Sequence, residues 1–430
     1  MLGGRCHTLL LTVSLILMVS GNLRDLVTSL GYWGMWGVWC VVTLVATRTA
    51  QGAFMLSHPP AWVMVSYTVL GLGMLLSAVV NKDLVSAYQA LKIGVIAGVF
   101  VAMWRLVWRL NWSHLLLAMR WSIAIVLLSF AASKVWNPAG QVLIHGLREG
   151  SFLALYGVLW KAGAFFVPIF LADAIKRPND WIRNGLMIAA CIFLVLIDGS
   201  RTGLLLLGAI IGGFFFFLIW IDGWGGLRRQ VRWMWAALAL LVLLQLLNSG
   251  LNMGLDRLRT KAAVPSASVG AVTAAAPAVD PARILEEALD RTFETRIGMG
   301  DPARVRLLKA SMSQIIPCQP FGCGFKTTGT DIVGTGELMP VHNAYLAALG
   351  DFGILGLAGM LGFLMAAVPP IWRVLRQGDR SAQGLFVVAA SGSALAYGMA
   401  LMLNTFSTEM SEWGYLILML AFAWAPAKST

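Results

Sequence analysis

Charged residues are scarce in this chain of 430 amino acids. Lys, Arg, Asp and Glu make up only 12% of the residues, whereas hydrophobic residues make up 58%, and the mean hydropathy is +0.76. This composition lies outside the range of soluble domains and indicates a polytopic membrane protein. The sequence also contains neither a recognisable internal repeat nor an ATP-binding P-loop, and the missing repeat weakens a transporter interpretation.

Histidine and cysteine are equally rare, at five residues each. Because no other histidine lies near His342 in the sequence, we expect no metal ion and no cofactor there. Cys318 and Cys323 lie in a loop that we expect to face outward, where an oxidising compartment permits a disulfide. Two free thiols are the alternative, because a bond across so short a loop demands a specific geometry.

Apolar runs near the roughly 20 residues that cross a bilayer predict an all-α protein with about twelve transmembrane helices. The N-terminal run resembles a signal peptide, but we expect it to remain as the first helix because more spans follow. The predicted spans are residues 8–28, 31–47, 60–80, 84–104, 115–133, 151–172, 183–199, 202–221, 233–251, 343–368, 382–404 and 413–426.

The distribution of basic residues predicts the orientation, because Lys and Arg are retained on the cytoplasmic side. One set of connections, with both termini, holds fifteen Lys and Arg residues, and the short loops of the other set hold five. We therefore expect both termini in the cytoplasm and residues 252–342 outside. The net charge of +12 follows mostly from this asymmetry and does not indicate nucleic-acid binding.

The long outer loop, residues 252–342, separates nine predicted helices in residues 1–251 from three in residues 343–430. It begins with an Ala-rich flexible linker, 262–282, which two amphipathic helices follow at about 283–297 and 302–316. Its ten basic residues nearly balance nine acidic ones, so local pairing is one interpretation. Between Arg296 and Lys326, however, five basic residues face a single acidic one, which suits an anionic partner.

Three residues at predicted outer helix ends are candidates for chemistry. Arg201 is held at the membrane surface by a very short connection, where it either binds a lipid diphosphate or snorkels to headgroups. His342 is either a structural residue or a base that accepts a proton from a sugar hydroxyl. Asn343 either orients a sugar or caps the helix that follows it.

Lys92 and Lys161 lie inside predicted spans, where a charge is costly unless it has a partner or water. Lys161 falls near the middle of the predicted span 151–172. It would either line a cavity that admits a headgroup or pair with an acidic residue.

Taken together, these motifs resemble the O-antigen ligase family of bacterial inner membranes. The resemblance rests on SRTGLLLL at the outer end of one helix, a large outer loop, PFGCGF and then HNAYLAALGDFGILG. The last stretch fits the family signature of histidine, a small amide or serine residue, nine variable positions, glycine, two more positions and a small residue. The matching positions are His342, Asn343, Gly353 and Gly356, and Arg201 with Leu205 fits the arginine motif.

The resemblance implies a fold similar to the GT-C glycosyltransferases and a metal-independent, inverting transfer at the periplasmic face of the inner membrane. The donor would be a polysaccharide on undecaprenyl diphosphate, and the acceptor a sugar hydroxyl of lipid A-core. His342 would be the catalytic residue, and Asn343 and Lys309 would position sugars. The diphosphate would be bound by Arg201, Arg304, Arg306, Arg296 and Arg291.

Two other functions fit the same sequence. An O-antigen or exopolysaccharide polymerase shares the motifs but tends to have two large outer loops, whereas this chain has one. A lipid or polysaccharide transporter would use the arginines for binding, and His342 would then be dispensable for bond formation.

Overall fold

The computed structural model describes most of the chain outside the long loop. The described residues are 2–48, 59–136, 144–145, 148–154, 157–229, 234–235, 238–240, 242–243, 246–247, 311–326, 341, 343–379, 381–404 and 406–424.

The described chain is helical apart from one antiparallel pair of two-residue strands, β1 (Ile144–His145) and β2 (Arg148–Glu149). We label the helices in chain order, and three 3-10 turns, Pro178–Asp180, Ile316–Cys318 and Leu401–Leu403, accompany them. The helices are α1 (Leu2–Val19), α2 (Gly21–Ala46), α3 (Ala61–Asn81), α4 (Leu84–Arg109), α5 (Trp112–Trp136), α6 (Leu159–Lys176), α7 (Trp181–Asp198), α8 (Arg201–Arg229), α9 (Ala344–Ala366), α10 (Val368–Gln377), α11 (Ala382–Ala400) and α12 (Met410–Trp424).

Eight helices in the described ranges are long and apolar enough to cross a membrane, so the chain is a multi-pass membrane protein. The apolar helices Gly4–Val19 and Met410–Trp424 are shorter. The ninth predicted span, 233–251, is described only as helical fragments. The total of twelve transmembrane helices, the orientation of the chain in the membrane and the architecture of the outer loop remain predictions. The linker 262–282 and the helix 283–297 lie outside the described residues, as does most of the helix 302–316.

The sequence-based start of the sixth span at residue 151 was wrong, because α6 begins at Leu159. Gly157 has a left-handed φ of 91°, which ends any continuous helix there. The Asp198 carboxylate at the end of α7 accepts hydrogen bonds from the backbone N–H of Gly157 at 2.8 Å and of Trp160 at 3.2 Å. Lys161 therefore lies in the first turn of α6 and not at mid-span.

Two helices form the centre of the bundle. The α6 residues from Leu159 to Ala174 are buried, and α12 is buried over most of its length. Around them, α3 packs closely against α9 through small residues. A Cβ added to Gly73 of α3 would lie 2.8 Å from the backbone nitrogen of Gly356, and one on Gly359 would lie 2.6 Å from the Leu70 Cβ. Such small residues let membrane helices approach each other closely.

The helix α9 is interrupted at Gly353, whose φ of 70° and ψ of −162° are not helical. The interruption is filled by the disulfide loop, which we define as residues 318–326 and whose first six residues the Cys318–Cys323 bond closes into a ring. The backbone N–H of Cys323 donates to the Gly350 carbonyl at 2.7 Å, and the N–H of Ile354 donates to the Pro320 carbonyl at 3.1 Å. The loop thereby satisfies backbone groups that an apolar bundle would otherwise leave unpaired.

Side chains complete this contact between the disulfide loop and α9. Gln319 Nε2 donates to the Leu349 carbonyl at 3.0 Å, and Ser77 Oγ of α3 donates to the Asp351 carbonyl at 2.6 Å. Asn81 Nδ2, at the end of α3, donates to the Gly322 carbonyl at 2.9 Å. The first half of α9, residues 344–352, is consequently held by both α3 and the loop.

We predict that Gly353→Ala severely destabilises the protein. A Cβ at this position would lie 1.9 Å from the Pro320 carbonyl oxygen, and the left-handed φ is itself unfavourable for alanine. Size-exclusion chromatography and thermal unfolding in detergent should show loss of monodisperse protein or a much lower Tm. Gly71→Ala in α3 is the control, since nothing lies within 4 Å of its added Cβ. A wild-type Tm for Gly353→Ala would contradict the proposed packing.

Candidate functional site

Polar and charged side chains concentrate at one end of the bundle, which we call the polar end. Here α3 and α11 end, and α4, α6, α8, α9 and α12 begin. From the distribution of basic residues we expect this end to face outward. Four contacts between helices define it, and they involve Gln89 and Lys92 of α4, Lys161 of α6, Tyr397 of α11, and Thr408, Glu409 and Glu412 at the start of α12.

Both buried lysines pair with acidic residues at the start of α12. Lys92 Nζ lies 2.9 Å from Glu409 Oε1, and Lys161 Nζ contacts Glu412 Oε1. The lysine side chains are 7% and 3% exposed, whereas the glutamates are about one-quarter exposed. Since an unpaired charge in an apolar bundle is costly, these pairs explain how both lysines are tolerated. Of the two alternatives predicted for Lys161, the structure therefore shows pairing with an acidic residue.

The Glu412 carboxylate has a second partner, because Tyr397 of α11 donates its phenolic hydroxyl to Glu412 Oε2. Lys161 and Tyr397 thus engage different oxygens of one carboxylate. Neighbouring Thr408 donates to Gln89 Oε1 of α4. These bonds connect α12 to α4, α6 and α11, and they fix the direction of the Glu412 side chain.

A small cavity of about 20 Å³, room for about one water molecule, lies next to Glu412. Its lining includes Ala344, the first residue of α9, together with Tyr397 of α11 and Trp413 of α12. Leu401, Phe406 and Ser407, from the segment between α11 and α12, also line it. The cavity lining therefore includes aromatic side chains, a hydroxyl and a carboxylate.

Asn343 caps the start of α9. Its Oδ1 accepts hydrogen bonds from the backbone N–H of Tyr345 and of Leu346, both at 3.1 Å. Of the two interpretations from sequence, capping is the one seen in the structure. The hydroxyl of Tyr345 donates to the Gly398 carbonyl of α11 at 2.7 Å, so the first turn of α9 is also fixed laterally.

Arg201 is the first residue of α8, and its side chain lies outside the described atoms. The next residue, Thr202, donates its hydroxyl to Asn404 Oδ1 at 3.5 Å, close to the cavity-lining Leu401 and Phe406. A Cβ added to Gly203 would lie 2.8 Å from the Trp160 Cβ, and the Trp160 ring is 6.3 Å from that of Tyr397. The start of α9 therefore lines the cavity, and the start of α8 lies beside Asn404, in the segment between α11 and α12 that contributes to the lining.

The far end of the disulfide loop is fixed by Asp83, the N-cap of α4. Asp83 Oδ2 accepts from the backbone N–H of Phe325 at 3.2 Å and from the Ser86 hydroxyl at 2.6 Å. Desolvation raises the pKa of Asp83, but hydrogen bonds from Ser86, Val85 and Phe325 together outweigh it, so the pKa lies below its ordinary value of 3.8. The stabilisation is present above that value and is lost only as the pH falls through the lower pKa of the folded state.

Most of the predicted site residues lie outside the described residues: His342, Arg291, Arg296, Arg304, Arg306 and Lys309. His342 immediately precedes the Asn343 cap, and residues 311–315 continue the predicted second loop helix as far as its 3-10 end. Within the described part of the chain, no group of three or more His, Cys, Asp or Glu side chains could hold a metal ion. The roles assigned to these residues remain predictions.

Sequence reasoning missed Glu409, Glu412, Tyr397 and Asp198. A signal was available for the first two, because they are acidic residues three positions apart at the start of the last apolar run, while two buried lysines needed partners. No comparable local signal identifies Asp198 as the cap of α6, or Tyr397 as a partner of Glu412.

The fold defines the class of the protein as a multi-pass helical membrane protein with a small cavity at one end of the bundle. Comparison of the chain with models of known protein families found no match. Comparison with curated proteins found no significant match either.

We predict that the disulfide stabilises the folded protein. For a ring this short, the chain-entropy model gives about 2 kcal/mol. Thermal unfolding should therefore show a lower Tm for wild type under reducing conditions and for the Cys318→Ser/Cys323→Ser variant, which should not respond to reductant. Cys6→Ser is the control, because Cys6 is a free, exposed thiol. Equal Tm values for oxidised and reduced wild type would refute this role.

Proposed function

We propose that the protein is an O-antigen ligase that transfers polysaccharide from undecaprenyl diphosphate to a sugar hydroxyl of lipid A-core. One observation carries the proposal. The helix that follows His342 and Asn343 starts at the cavity at the polar end, and the helix that begins with Arg201 starts beside Asn404, in the segment that contributes to the cavity lining. The two motifs that resemble the ligase family are 141 residues apart, so their convergence is not a consequence of sequence proximity.

In this proposal His342 accepts the proton of the acceptor hydroxyl. The hydroxyl oxygen forms a bond to the anomeric carbon of the donor as the bond from that carbon to the diphosphate breaks, which inverts the configuration. Undecaprenyl diphosphate leaves with the bonding electron pair. A general base of this kind contributes roughly 10²- to 10⁴-fold to the rate.

Arg201 binds the diphosphate and stabilises the charge that develops as it leaves. A guanidinium suits this role because it stays charged and binds phosphate oxygens in a bidentate manner. The neighbouring buried lysines do not compete for the diphosphate, since Lys92 and Lys161 are each paired with a glutamate. We assign further diphosphate contacts to Arg304, Arg306, Arg296 and Arg291, and sugar positioning to Lys309, because the Asn343 side-chain oxygen already caps α9.

The break in α9 at Gly353 is relevant to the alternative that the protein is a transporter. Broken helices in transporters expose backbone carbonyls that coordinate ions. In this protein the carbonyls of Gly350 and Asp351 accept hydrogen bonds from the disulfide loop, and Ser77 also binds Asp351. These carbonyls therefore already have hydrogen-bond partners within the protein, which favours a fixed helix over an ion-binding site.

We predict that deleting the gene leaves lipid A-core without polysaccharide while lipid-linked polymer accumulates. Electrophoresis of lipopolysaccharide and extraction of lipid-linked saccharides measure the two products. A single repeat unit attached to the core would instead identify a polymerase. Lipid A-core without polysaccharide, with the lipid-linked polymer retained on the cytoplasmic face of the membrane, would favour a transporter.

We predict that His342→Ala in purified protein lowers the rate of transfer by at least about 10²-fold while donor binding is retained. Reconstituted protein with lipid-linked donor and lipid A-core measures transfer, and it should proceed in the presence of a chelator. His114→Ala is the control, because His114 lies at the opposite end of the bundle, where it contacts Asn111. Near-normal transfer by His342→Ala would disprove its role as the base.

We predict that Arg201→Ala weakens binding of undecaprenyl diphosphate, and that Arg201→Lys restores binding only in part, because lysine lacks the bidentate geometry. Binding of the lipid to protein in detergent or nanodiscs measures the affinity. Unchanged affinity in Arg201→Ala would assign the arginine a structural role.

A further inference from the structure

A second group of charged side chains lies at the opposite end of the bundle, where α6 ends and α5 and α7 begin. Its centre is Asp173 of α6, which is fully buried. Arg120 of α5 donates to Asp173 Oδ2 at 3.2 Å, and Trp112 Nε1 donates to Asp173 Oδ1 at 2.8 Å. Arg177, at the end of α6, lies 3.6 Å from the same Oδ1. One buried carboxylate therefore faces two arginines.

This group carries more positive than negative charge. Arg183 of α7 is near enough to Arg120 for their like charges to interact, and it pairs with Asp180 in the turn between α6 and α7. Lys176 Nζ lies 5.3 Å from the centre of the Trp112 ring and has no carboxylate partner among the described residues. Four basic side chains thus share two carboxylates. We define these four as the basic cluster: Arg120, Lys176, Arg177 and Arg183.

The basic cluster has hydrogen-bond donors left over for an anion. A guanidinium has five N–H groups, and Asp173 accepts one of those of Arg120. Arg120 Nε is buried and makes no hydrogen bond within the described part of the chain. The side chains of Arg120, Arg177 and Arg183 are 19%, 35% and 43% exposed, so an anion can reach them. Excess positive charge that is accessible in this way attracts anions.

Exposed apolar side chains flank the basic cluster on two helices. Leu117 and Trp121 of α5 are 42% and 56% exposed, and Ile182 and Leu186 of α7 are 54% and 38% exposed. Each lies within one helical turn of an arginine of the cluster. Since α5 and α7 are both long and apolar enough to cross a membrane, these side chains face acyl chains. The combination suits a ligand with an anionic head and apolar chains better than a free phosphate.

We propose that the basic cluster binds an anionic phospholipid, with the lipid phosphate at the arginines and the acyl chains along α5 and α7. Guanidinium groups bind phosphate oxygens in a bidentate manner, which gives the site its preference for a phosphate. We expect this end of the bundle to face the cytoplasm, where basic pockets between membrane helices bind anionic headgroups. The site lies away from the polar end and does not depend on the proposed function.

The test measures binding of phosphatidylglycerol to the purified full-length protein in detergent by native mass spectrometry, with zwitterionic phosphatidylcholine for comparison. We expect wild type to prefer phosphatidylglycerol. The Lys176→Gln/Arg177→Gln variant should bind it about tenfold more weakly or worse, because each basic residue near an anionic headgroup contributes severalfold to affinity. Equal binding of the two lipids by wild type, or unchanged affinity in this variant, would refute the site.

The control is Arg48→Gln/Arg376→Gln, which removes the same charge from two exposed side chains at the same end of the bundle but outside the basic cluster. Its affinity for phosphatidylglycerol should stay within about twofold of wild type. An equal loss of affinity in the control would show diffuse attraction by the whole surface, and the proposal of a site would then be wrong.

Asp180→Asn separates lipid binding from a purely structural ion-pair network. Asp180 is 38% exposed, and its carboxylate competes with the lipid phosphate for Arg183. We expect this variant to bind phosphatidylglycerol about threefold more tightly or better, even if its Tm without lipid is lower. A lower Tm with no gain in lipid affinity would assign the cluster a structural role only and contradict the proposal.

Inorganic phosphate distinguishes a lipid from a soluble anion at the same arginines. Phosphatidylglycerol should raise the Tm of wild type, whereas inorganic phosphate at the same concentration and ionic strength should not, because it lacks acyl chains. Equal stabilisation by inorganic phosphate, or displacement of the lipid by it, would assign the site to free phosphate and overturn the lipid proposal.

Discussion

Backbone groups inside a membrane bundle have no water to bind, and this constraint governs how α9 is positioned. At Gly353 the helix leaves carbonyl and N–H groups without helical partners, and the disulfide loop supplies the partners. The loop itself is bound to α3 by Asn81 and to the start of α4 by Asp83. The position of the first half of α9, and with it the Asn343 cap, depends on these contacts.

Buried charge imposes a second constraint on the same end of the bundle. Lys92 and Lys161 are held in place by Glu409 and Glu412, so α12 is tied to both α4 and α6 by ion pairs. Pairs of this kind are weak sources of stability but strongly disfavour arrangements in which one partner is left unpaired. They therefore select the register of α12, and they place the Glu412 carboxylate next to the cavity.

The apolar runs were sufficient to predict most of the helices at the polar end, and the position of Asn343 before such a run predicted a helix cap. The need of Lys92 and Lys161 for partners was also evident from the sequence. Their particular partners were not, because they lie 317 and 251 residues away along the chain. The break at Gly353 and the late start of α6 escaped prediction for the same reason, since the groups that satisfy them come from distant segments. The roles of His342 and Arg201 rest on the family resemblance.

The contact of Asp198 with the start of α6 has a further consequence for the turn that leads into α8. Only Gly199 and Ser200 separate this fixed carboxylate from Arg201, so the start of α8 is held close to the start of α6. Gly199 ends α7 with a left-handed φ of 64°, which favours glycine. Both the length and the backbone conformation of this turn therefore constrain where α8 begins.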